Sequence, residues 1–258
     1  MNIFKQLIVS LYSPRDMAAF RNQGIGKTIA FVFLLTLISI IPPAYYFSTA
    51  LQSGIHAFQE TVKEDLPPFE IKNGALTSEA DEPIVVNKAG FQIILDDTGE
   101  WTSSNIADQT ENGVGLLKNE VVFVTAGQAQ SNPYSMFEGF TITSVELNDY
   151  LETADSSLVI VLPVLIVMMY LFTAAVNFLK ISFLALFGLS FIKSLNKNIS
   201  YRHSWRLTAY AIVLPTFFFT IMDAFQAPVP FGILISWFVT LVMLYLSIKE
   251  VPEGEEAK

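Results

Sequence analysis

Long apolar segments with almost no charge dominate the two ends of this chain. Residues 28–51 carry no charged side chain, and residues 29–41 are apolar apart from Thr36 and Ser39. A helix rises about 1.5 Å per residue, so this run can cross a hydrocarbon core of roughly 30 Å. Further apolar segments occupy residues 157–195, 207–225 and 231–248. The pattern predicts an α-helical integral membrane bundle.

The first twenty residues have the spacing of a short amphipathic helix. Polar residues separate apolar ones that recur at helical intervals: Ile3, Phe4, Leu7, Ile8 and Leu11. Such a helix is expected to lie in the membrane interface and to end before Pro14. No small-residue cleavage site follows the first apolar segment, so we expect the N-terminus to be retained.

Between the first two apolar segments lie about a hundred residues with a different pattern. Short β-rich runs recur at residues 69–72, 83–87, 91–95, 120–124 and 137–143. Turn-forming pairs such as Asn73-Gly74 and Asn132-Pro133 separate them, and a short helix is expected near residues 104–109. This pattern predicts a small, mainly β domain inserted between spans 1 and 2.

Charge is divided sharply between this β-rich region and the rest of the chain. Residues 52–155 contain 4 Lys or Arg and 18 Asp or Glu, whereas the remaining residues contain 11 and 6. Residues 1–27 contain four basic side chains and one acidic side chain. Because basic residues near span ends stay on the cytoplasmic side, we expect the first span to begin inside and the acidic domain to lie outside.

The segment at residues 157–195 is long for a single span and contains Lys180 near its middle. In one interpretation, residues 157–179 lead inward, Lys180 marks the inner interface, and residues 181–192 continue as a helix packed on the bundle. In the other, two spans are broken near residues 177–180. The basic loop that follows has no acidic residue and is expected to be cytoplasmic, which requires an odd number of crossings. We therefore expect one long crossing.

The rest of the chain predicts two more spans, joined by a proline-rich turn at residues 226–230. We expect four spans with both ends inside; five spans with an external C-terminus is the alternative. The expected organisation is an interfacial helix and first span (residues 1–51), an acidic extracytoplasmic β-rich domain (52–155), C-terminal transmembrane helices with a basic cytoplasmic loop at 193–206 (156–248), and a polar tail (249–258).

Composition agrees with a multi-pass protein of the cell membrane. Hydrophobic residues make up 52% of the chain, charged residues make up 15%, and the mean hydropathy is +0.46. The chain has no cysteine, which excludes disulfides, thiolate metal sites and a cysteine nucleophile.

Three features that could carry chemistry have simpler explanations. Residues 24–28 resemble the end of a phosphate-binding loop, but Arg21 occupies the position of the first glycine. The acidic cluster at residues 96–100 lacks the spacing of a calcium loop and is typical of a turn. The two histidines, His56 and His203, are expected on opposite sides of the membrane. We therefore expect no metal, no cofactor and no nucleic-acid partner.

The side chains singled out for function form two groups. Four basic residues are expected to contact anionic lipids or an acidic partner: Lys193, Lys197, Arg202 and Arg206. Inside the spans, we expect Asn177 to form a helix-packing hydrogen bond and Pro215 to form a kink. Lys180 and Asp223 are expected at or near span ends. With no charge at membrane depth and no paired acid and base, the chain is expected to be neither a proton-driven transporter nor an enzyme.

Most of the sequence, including the C-terminal spans, is similar to a known family. The runs FKQ (4–6), SLYSP (10–14), FRNQGIGKT (20–28) and FEIKNG (69–74) resemble an uncharacterised family of Gram-positive bacterial membrane proteins, domain of unknown function 1189. Some members carry a maltodextrin-utilisation label, which implies at most an accessory role beside a sugar transporter. Residues 198–202, with Tyr210 and Pro215, are similar to a pattern of the broader Yip family of multi-span proteins. Neither resemblance implies catalytic residues.

Together these observations predict a non-enzymatic accessory or regulatory membrane protein. The outer domain would sense or bind a molecule at the cell surface, and the basic inner loop would contact lipid or a membrane transporter complex. The competing prediction is a transporter or permease subunit.

Overall fold

The computed structural model describes residues 2–137, 139 and 141–252, with Phe137 described by its backbone alone. The chain forms two compact units. We call Met1–Tyr46 together with Val164–Lys258 the helical unit, and Phe47–Pro163 the mixed unit.

The secondary structure alternates between long helices and short strands. The helices are α1 (Ile3–Ser10), α2 (Pro14–Ala18), α3 (Ile25–Ser39), α4 (Ile41–Glu64), α5 (Ser103–Gln109), α6 (Ser144–Ser194), α7 (Tyr201–Ala211), α8 (Val213–Ala224) and α9 (Gly232–Lys249). The strands are β1 (Phe69–Lys72), β2 (Ala75–Ser78), β3 (Ile84–Lys88), β4 (Phe91–Asp96), β5 (Asn112–Leu117), β6 (Glu120–Thr125), β7 (Gln128–Pro133) and β8 (Thr141–Thr143). Short 3-10 helices lie at Ala19–Asn22 and Tyr134–Phe137.

Several of the helices can cross a membrane. Within the described residues, three stretches are long and apolar enough by themselves: α6, the joined α7 and α8, and α9. Helices α3 and α4 reach the same length and apolarity as a pair, bent by 41° at their junction. Pro42 and Pro43 lie in the first turn of α4, and their rings would collide with carbonyls of a straight preceding helix, which accounts for the bend. The structure thus has three such segments, or four if the bent pair is one span; the four-span topology stays a prediction.

Helix α6 is continuous over 51 residues, a length of about 76 Å at the usual helical rise. It has no break at residues 177–180, so the interpretation with one continuous helix through Lys180 fits. Three contacts fix its direction relative to α9: Lys180 with Ser236, Gly188 with Leu244, and Phe191 with Tyr245. Later residues of α6 meet later residues of α9, so the two helices run in the same direction. Two helices that cross a membrane toward the same side must run in the same direction.

The N-terminal helix has two different faces. Leu7 and Val9 are buried in the core of the helical unit. The opposite face carries exposed apolar side chains at intervals of four residues: Phe4, Ile8 and Tyr12. An exposed apolar stripe on a short helix suits the boundary between headgroups and acyl chains. The helix ends before α2 begins at Pro14, where the sequence predicted a break.

The helical unit packs around Tyr210 on α7. The Tyr210 ring lies 4.7 Å from the Phe20 ring and 4.4 Å from the Phe31 ring, measured between centroids, and its side chain is fully buried. Helix α7 stops at Ala211 because Pro215 would place its ring against the carbonyl four residues earlier. The break therefore lies at Ile212, before the proline.

The mixed unit contains two sheets. The larger sheet has the order β3-β4-β5-β6-β7, and the smaller has the order β2-β1-β8. Strands β4 and β5 are parallel and are connected through α5, whereas the other described strand pairs are antiparallel. Four residues from α4 and α6 complete the core of this unit: Phe58, Val62, Leu147 and Leu151. The two long helices are thus part of the β-rich fold.

The predicted strands at residues 69–72, 83–87, 91–95 and 120–124 match β1, β3, β4 and β6 within one residue at each end, and α5 matches the predicted short helix. Only Thr141–Thr143 of the run at 137–143 is a strand; residues 138 and 140 lie outside the described residues. The expected turn at Asn132-Pro133 was wrong, because both residues belong to β7.

Candidate functional site

The helical unit contains a cavity of about 820 Å³ between α6, the end of α8, the following loop and the start of α9. Four polar side chains line it: Asn177, Lys180, Asp223 and Ser236. A smaller cavity of about 290 Å³ shares three of these residues and adds hydroxyl groups from Ser39, Thr173, Thr216 and Thr220. The remaining lining is mainly apolar. Polar groups of this unit therefore converge on one place.

Lys180 is the basic centre of this cavity. Its ammonium Nζ donates a hydrogen bond to the Ser236 hydroxyl at 2.7 Å, and Ser236 is buried. No carboxylate among the described residues comes within 4.0 Å of Nζ. An ammonium has three N–H donors, so Ser236 satisfies one of them and two remain for a ligand.

Asp223 lines the same cavity from the last turn of α8. Its carboxylate is exposed, and it forms no ion pair with Lys180 within 4.0 Å. A cation and an anion thus face one space without neutralising each other.

Two hydrogen bonds position α6 against α3 next to the cavity. The Asn177 amide donates to the Thr36 hydroxyl at 3.0 Å, and the Tyr170 hydroxyl donates to the Phe33 carbonyl at 3.1 Å. Asn177 and Lys180 are three residues apart, so they share a face of α6. The bond from Asn177 therefore helps to fix the direction in which Lys180 extends.

The sequence placed Lys180 at the inner interface of a span, and the structure places it within a continuous helix, so its level in the membrane stays a prediction. Lys180 lies 14 residues before the end of α6 and contacts Ser236, the fifth residue of α9. The sequence interpretation ended the span after the length of one membrane crossing. It therefore placed Lys180 at an interface. The length of the uninterrupted apolar run was the signal in the sequence for this position, because a helix of that length extends well beyond Lys180 in both directions.

The basic residues of the inner loop do not form one surface. Lys193 and Arg202 are exposed, Lys197 is half-buried, and Arg206 is buried. Arg206 Nη1 donates to the backbone carbonyl of Arg21 at 2.7 Å, so it ties α7 to the N-terminal segment. Contact of the other three with lipid stays a prediction. The expected lipid contact of Arg206 is not supported, because its side chain faces the protein interior.

His203 is also part of the structure of α7. It is buried, and its Nδ1 accepts a hydrogen bond from the Ser200 backbone N–H at 3.2 Å, which caps the helix. Gly24 caps α3 at the segment that resembled a phosphate-binding loop, and a 3-10 helix precedes it instead of a strand.

The acidic cluster at residues 96–100 is a hydrogen-bonded turn. The Asp96 carboxylate is buried and accepts bonds from the N–H groups of Thr98, Gly99 and Trp101 and from the Thr98 hydroxyl. Burial alone would raise the pKa of Asp96, but these bonds outweigh it and lower the pKa below its usual value. No group of three or more His, Asp or Glu residues in the described chain could hold a metal ion.

Comparison with known proteins identifies the chain only at the level of a family. The family described as "Protein of unknown function (DUF1189)" matches residues 4–248. No curated protein and no solved structure matches. Neither the maltodextrin label nor the similarity to the Yip family receives support from these comparisons. The match covers nearly the whole sequence, and the chain belongs to this family of proteins of unknown function.

Proposed function

We propose that this protein is a non-enzymatic accessory or regulatory protein of the cell membrane that binds an anionic amphiphile at Lys180. The observation that carries the proposal is the Lys180 ammonium, which lines a cavity between long apolar helices and contacts a single hydroxyl among the described residues. A charge at membrane depth is costly unless it is paired, and such residues mark functional sites. An anionic group in the cavity would supply the missing partner.

The surroundings of Lys180 support a ligand that comes from the bilayer. Leu179 and Ile233 line the cavity and are 71% and 73% exposed. Exposed side chains on apolar spanning helices face hydrocarbon in a membrane. The cavity would therefore open sideways toward lipid, where an amphiphile can place its anionic group at Lys180 and keep its tail in the bilayer.

The binding experiment compares lipids that co-purify with the protein. In native mass spectrometry, the wild type should retain an anionic phospholipid, Lys180→Met should lose it, and Lys180→Arg, which keeps the charge, should retain it. Lys118→Met removes an exposed lysine of the mixed unit and is the matched control. Equal retention by the wild type and Lys180→Met would contradict the proposal.

A transporter or permease subunit is the second candidate, because Lys180 and Asp223 line one cavity with opposite charges. Charged groups along a membrane cavity also mark substrate pathways. Purified protein in liposomes that drives an ion or sugar flux, lost in Asp223→Asn, would favour this candidate over the accessory function.

The proposal includes four spans with the acidic unit outside. The chain has no cysteine, so single replacements can be labelled with an impermeant thiol reagent. Ser104 and Ser200 are both exposed. Ser104→Cys should react from outside intact cells, whereas Ser200→Cys should react only after lysis. Reaction of Ser200→Cys in intact cells would overturn the topology.

The proposal also includes a role beside sugar uptake. It would make a maltodextrin transporter the partner of the protein, with Lys193 and Arg202 as exposed contact residues. Crosslinking in native membranes followed by co-purification should then recover transporter subunits. Their loss in the double variant Lys193→Gln, Arg202→Gln would locate the contact.

A further inference from the structure

The mixed unit contains an apolar cavity of about 520 Å³ that the proposed function does not use. One face of α4, the ends of β5 and β6, Phe91 and the first turns of α6 line it. This volume lies within the range of pockets that bind small molecules. The cavity belongs to a unit with its own core, separate from Lys180.

The lining has the chemistry of a site for an apolar chain. Four aromatic rings contribute to it, from Phe47, Phe58, Phe91 and Phe123, whereas its polar side chains include Asn112 and Thr125. Asn112 and Thr125 are paired in register where β5 begins and β6 ends, so these two polar groups lie together at one end of the two strands. Cavities lined by apolar groups do not hold water well. A ligand with a long apolar part fits this distribution.

Two glycines, Gly54 and Gly113, are among the lining residues. Gly54 lies within α4, and a Cβ atom at this position would be 3.5 Å from the Phe91 ring. Gly113 lies on β5, where a Cβ atom would collide with the Gln92 carbonyl. Glycine inside a helix is destabilising relative to alanine. The absence of a side chain at Gly54 leaves space that a larger side chain would fill.

The source of the ligand follows from the two helices that line the cavity. Helix α4 carries exposed apolar residues at Ile41, Tyr45 and Phe47, and Phe47 itself lines the cavity. Helix α6 carries exposed Val159 and Ile160 two turns after Leu151, another lining residue. Along each helix, exposed apolar residues thus neighbour in sequence the residues that line the cavity. Lipid acyl chains are the apolar molecules that such a surface meets.

We infer that the mixed unit binds the acyl chain of a lipid in this cavity. The chain would lie against the rings of Phe58, Phe91 and Phe123, with the polar end of the lipid near Asn112 and Thr125. This site goes beyond the proposed function, because it involves a different unit and does not require an anionic group. It makes the outer part of the protein a lipid-binding module.

The test uses the full chain in detergent micelles with a photoreactive analogue of palmitic acid. Peptides that contain residues 47–58 and 112–125 should be labelled. Gly54→Leu should reduce this labelling by about tenfold, the factor that about 1.4 kcal/mol of binding free energy represents. Ser53→Leu adds the same side chain at an exposed neighbouring position and should leave the labelling unchanged.

A second variant guards against misfolding of the first. Leu151→Trp fills the cavity from α6, and it should reduce labelling as Gly54→Leu does while the circular dichroism spectrum stays that of the wild type. The inference is overturned if either folded variant is labelled as strongly as the wild type. It is also overturned if label in the wild type appears only on lipid-facing residues of α6 and α9. If Lys180→Met loses the labelling while Gly54→Leu and Leu151→Trp keep it, the acyl chain binds in the helical unit instead.

Discussion

Lys180 and Ser236 join the second half of α6 to the second turn of α9, with 2.7 Å between the ammonium nitrogen and the hydroxyl oxygen. The contact places a basic group between two helices that otherwise present apolar surfaces. It also shows that α6 and α9 meet at a level where neither helix ends.

Removing the hydroxyl should reveal the destabilising effect of the half-buried Lys180 charge. Ser236→Ala leaves the Lys180 ammonium without its acceptor, and hydrogen bonds to charged groups contribute about 1.5–3 kcal/mol. We expect a lower thermal unfolding temperature in detergent for Ser236→Ala and recovery in the double variant Lys180→Met, Ser236→Ala. Thr220→Ala, whose hydroxyl bonds to a carbonyl of its own helix, should change the temperature less. If the double variant is no more stable than Ser236→Ala, the Lys180 charge does not destabilise the protein when its acceptor is removed.

The isolated mixed unit should be more stable when both flanking helical segments are included. Phe58 and Leu151 pack against its core, one from α4 and one from α6. A fragment of residues 47–163 should show a cooperative melt by circular dichroism, and a fragment of residues 60–150 should melt at a lower temperature because it lacks both side chains. Equal melting temperatures would show that the helices do not stabilise the sheets.

The sequence predicted the elements that have strong local signals. Strand β4 has little alternation of polar and apolar residues but contains two β-branched residues, and the helices long enough to cross a membrane have long apolar runs. Strand β7 was missed because its residues are polar and mostly exposed, so no face of it is apolar. Strand β5 was missed because Gly113 and Gly115 weaken its β propensity; their small size is required by contacts with Gln92 and Ile106.

The candidate site was largely hidden from the sequence. Lys180 was noticed, but its partner Ser236 lies 56 residues away and no spacing rule connects them. Arg206 was grouped with Lys193 and Arg202 by proximity along the chain. Its position on the inner face of α7, toward Arg21, depends on tertiary packing. Both differences concern contacts between residues far apart in the sequence.

Acid should weaken the turn at Asp96. Hydrogen bonds hold the pKa of Asp96 below its usual value, so its contribution to stability is present above the unfolded-state pKa, near 3.9, and is lost as the pH falls through the lower folded-state value. Trp101 donates its N–H to this carboxylate and is the single tryptophan of residues 47–163. Tryptophan fluorescence of that fragment should therefore change as the pH falls and the turn loses this stabilisation.

Asp96→Asn tests the same turn at neutral pH. Its amide nitrogen would replace an oxygen that now accepts a hydrogen bond, and a buried unsatisfied group costs about 1–3 kcal/mol. The variant should therefore melt at a lower temperature and lose most of the acid dependence. Asp108→Asn, on the exposed face of α5, is the matched control and should behave as the wild type. Identical acid transitions for Asp96→Asn and the wild type would exclude Asp96 as their cause.

The buried and exposed basic residues of the inner loop should affect different properties. Replacing Lys193, Lys197 and Arg202 with glutamine should weaken attachment to anionic surfaces by roughly a hundredfold, because each basic group near such a surface contributes on the order of 1 kcal/mol. Protein in neutral nanodiscs would be mixed with anionic vesicles, and the bound fraction would be measured by flotation.

Arg206→Gln is the matched comparison, since it also removes a positive charge from this region. Because Arg206 is buried and bonded to the Arg21 carbonyl, this variant should lower the unfolding temperature while vesicle attachment stays close to that of the wild type. The triple variant should show the opposite pattern, with attachment reduced and the unfolding temperature little changed. If Arg206→Gln alone reduced attachment as much as the triple variant, Arg206 would have to reach the surface, and its burial between α7 and the N-terminal segment would be wrong.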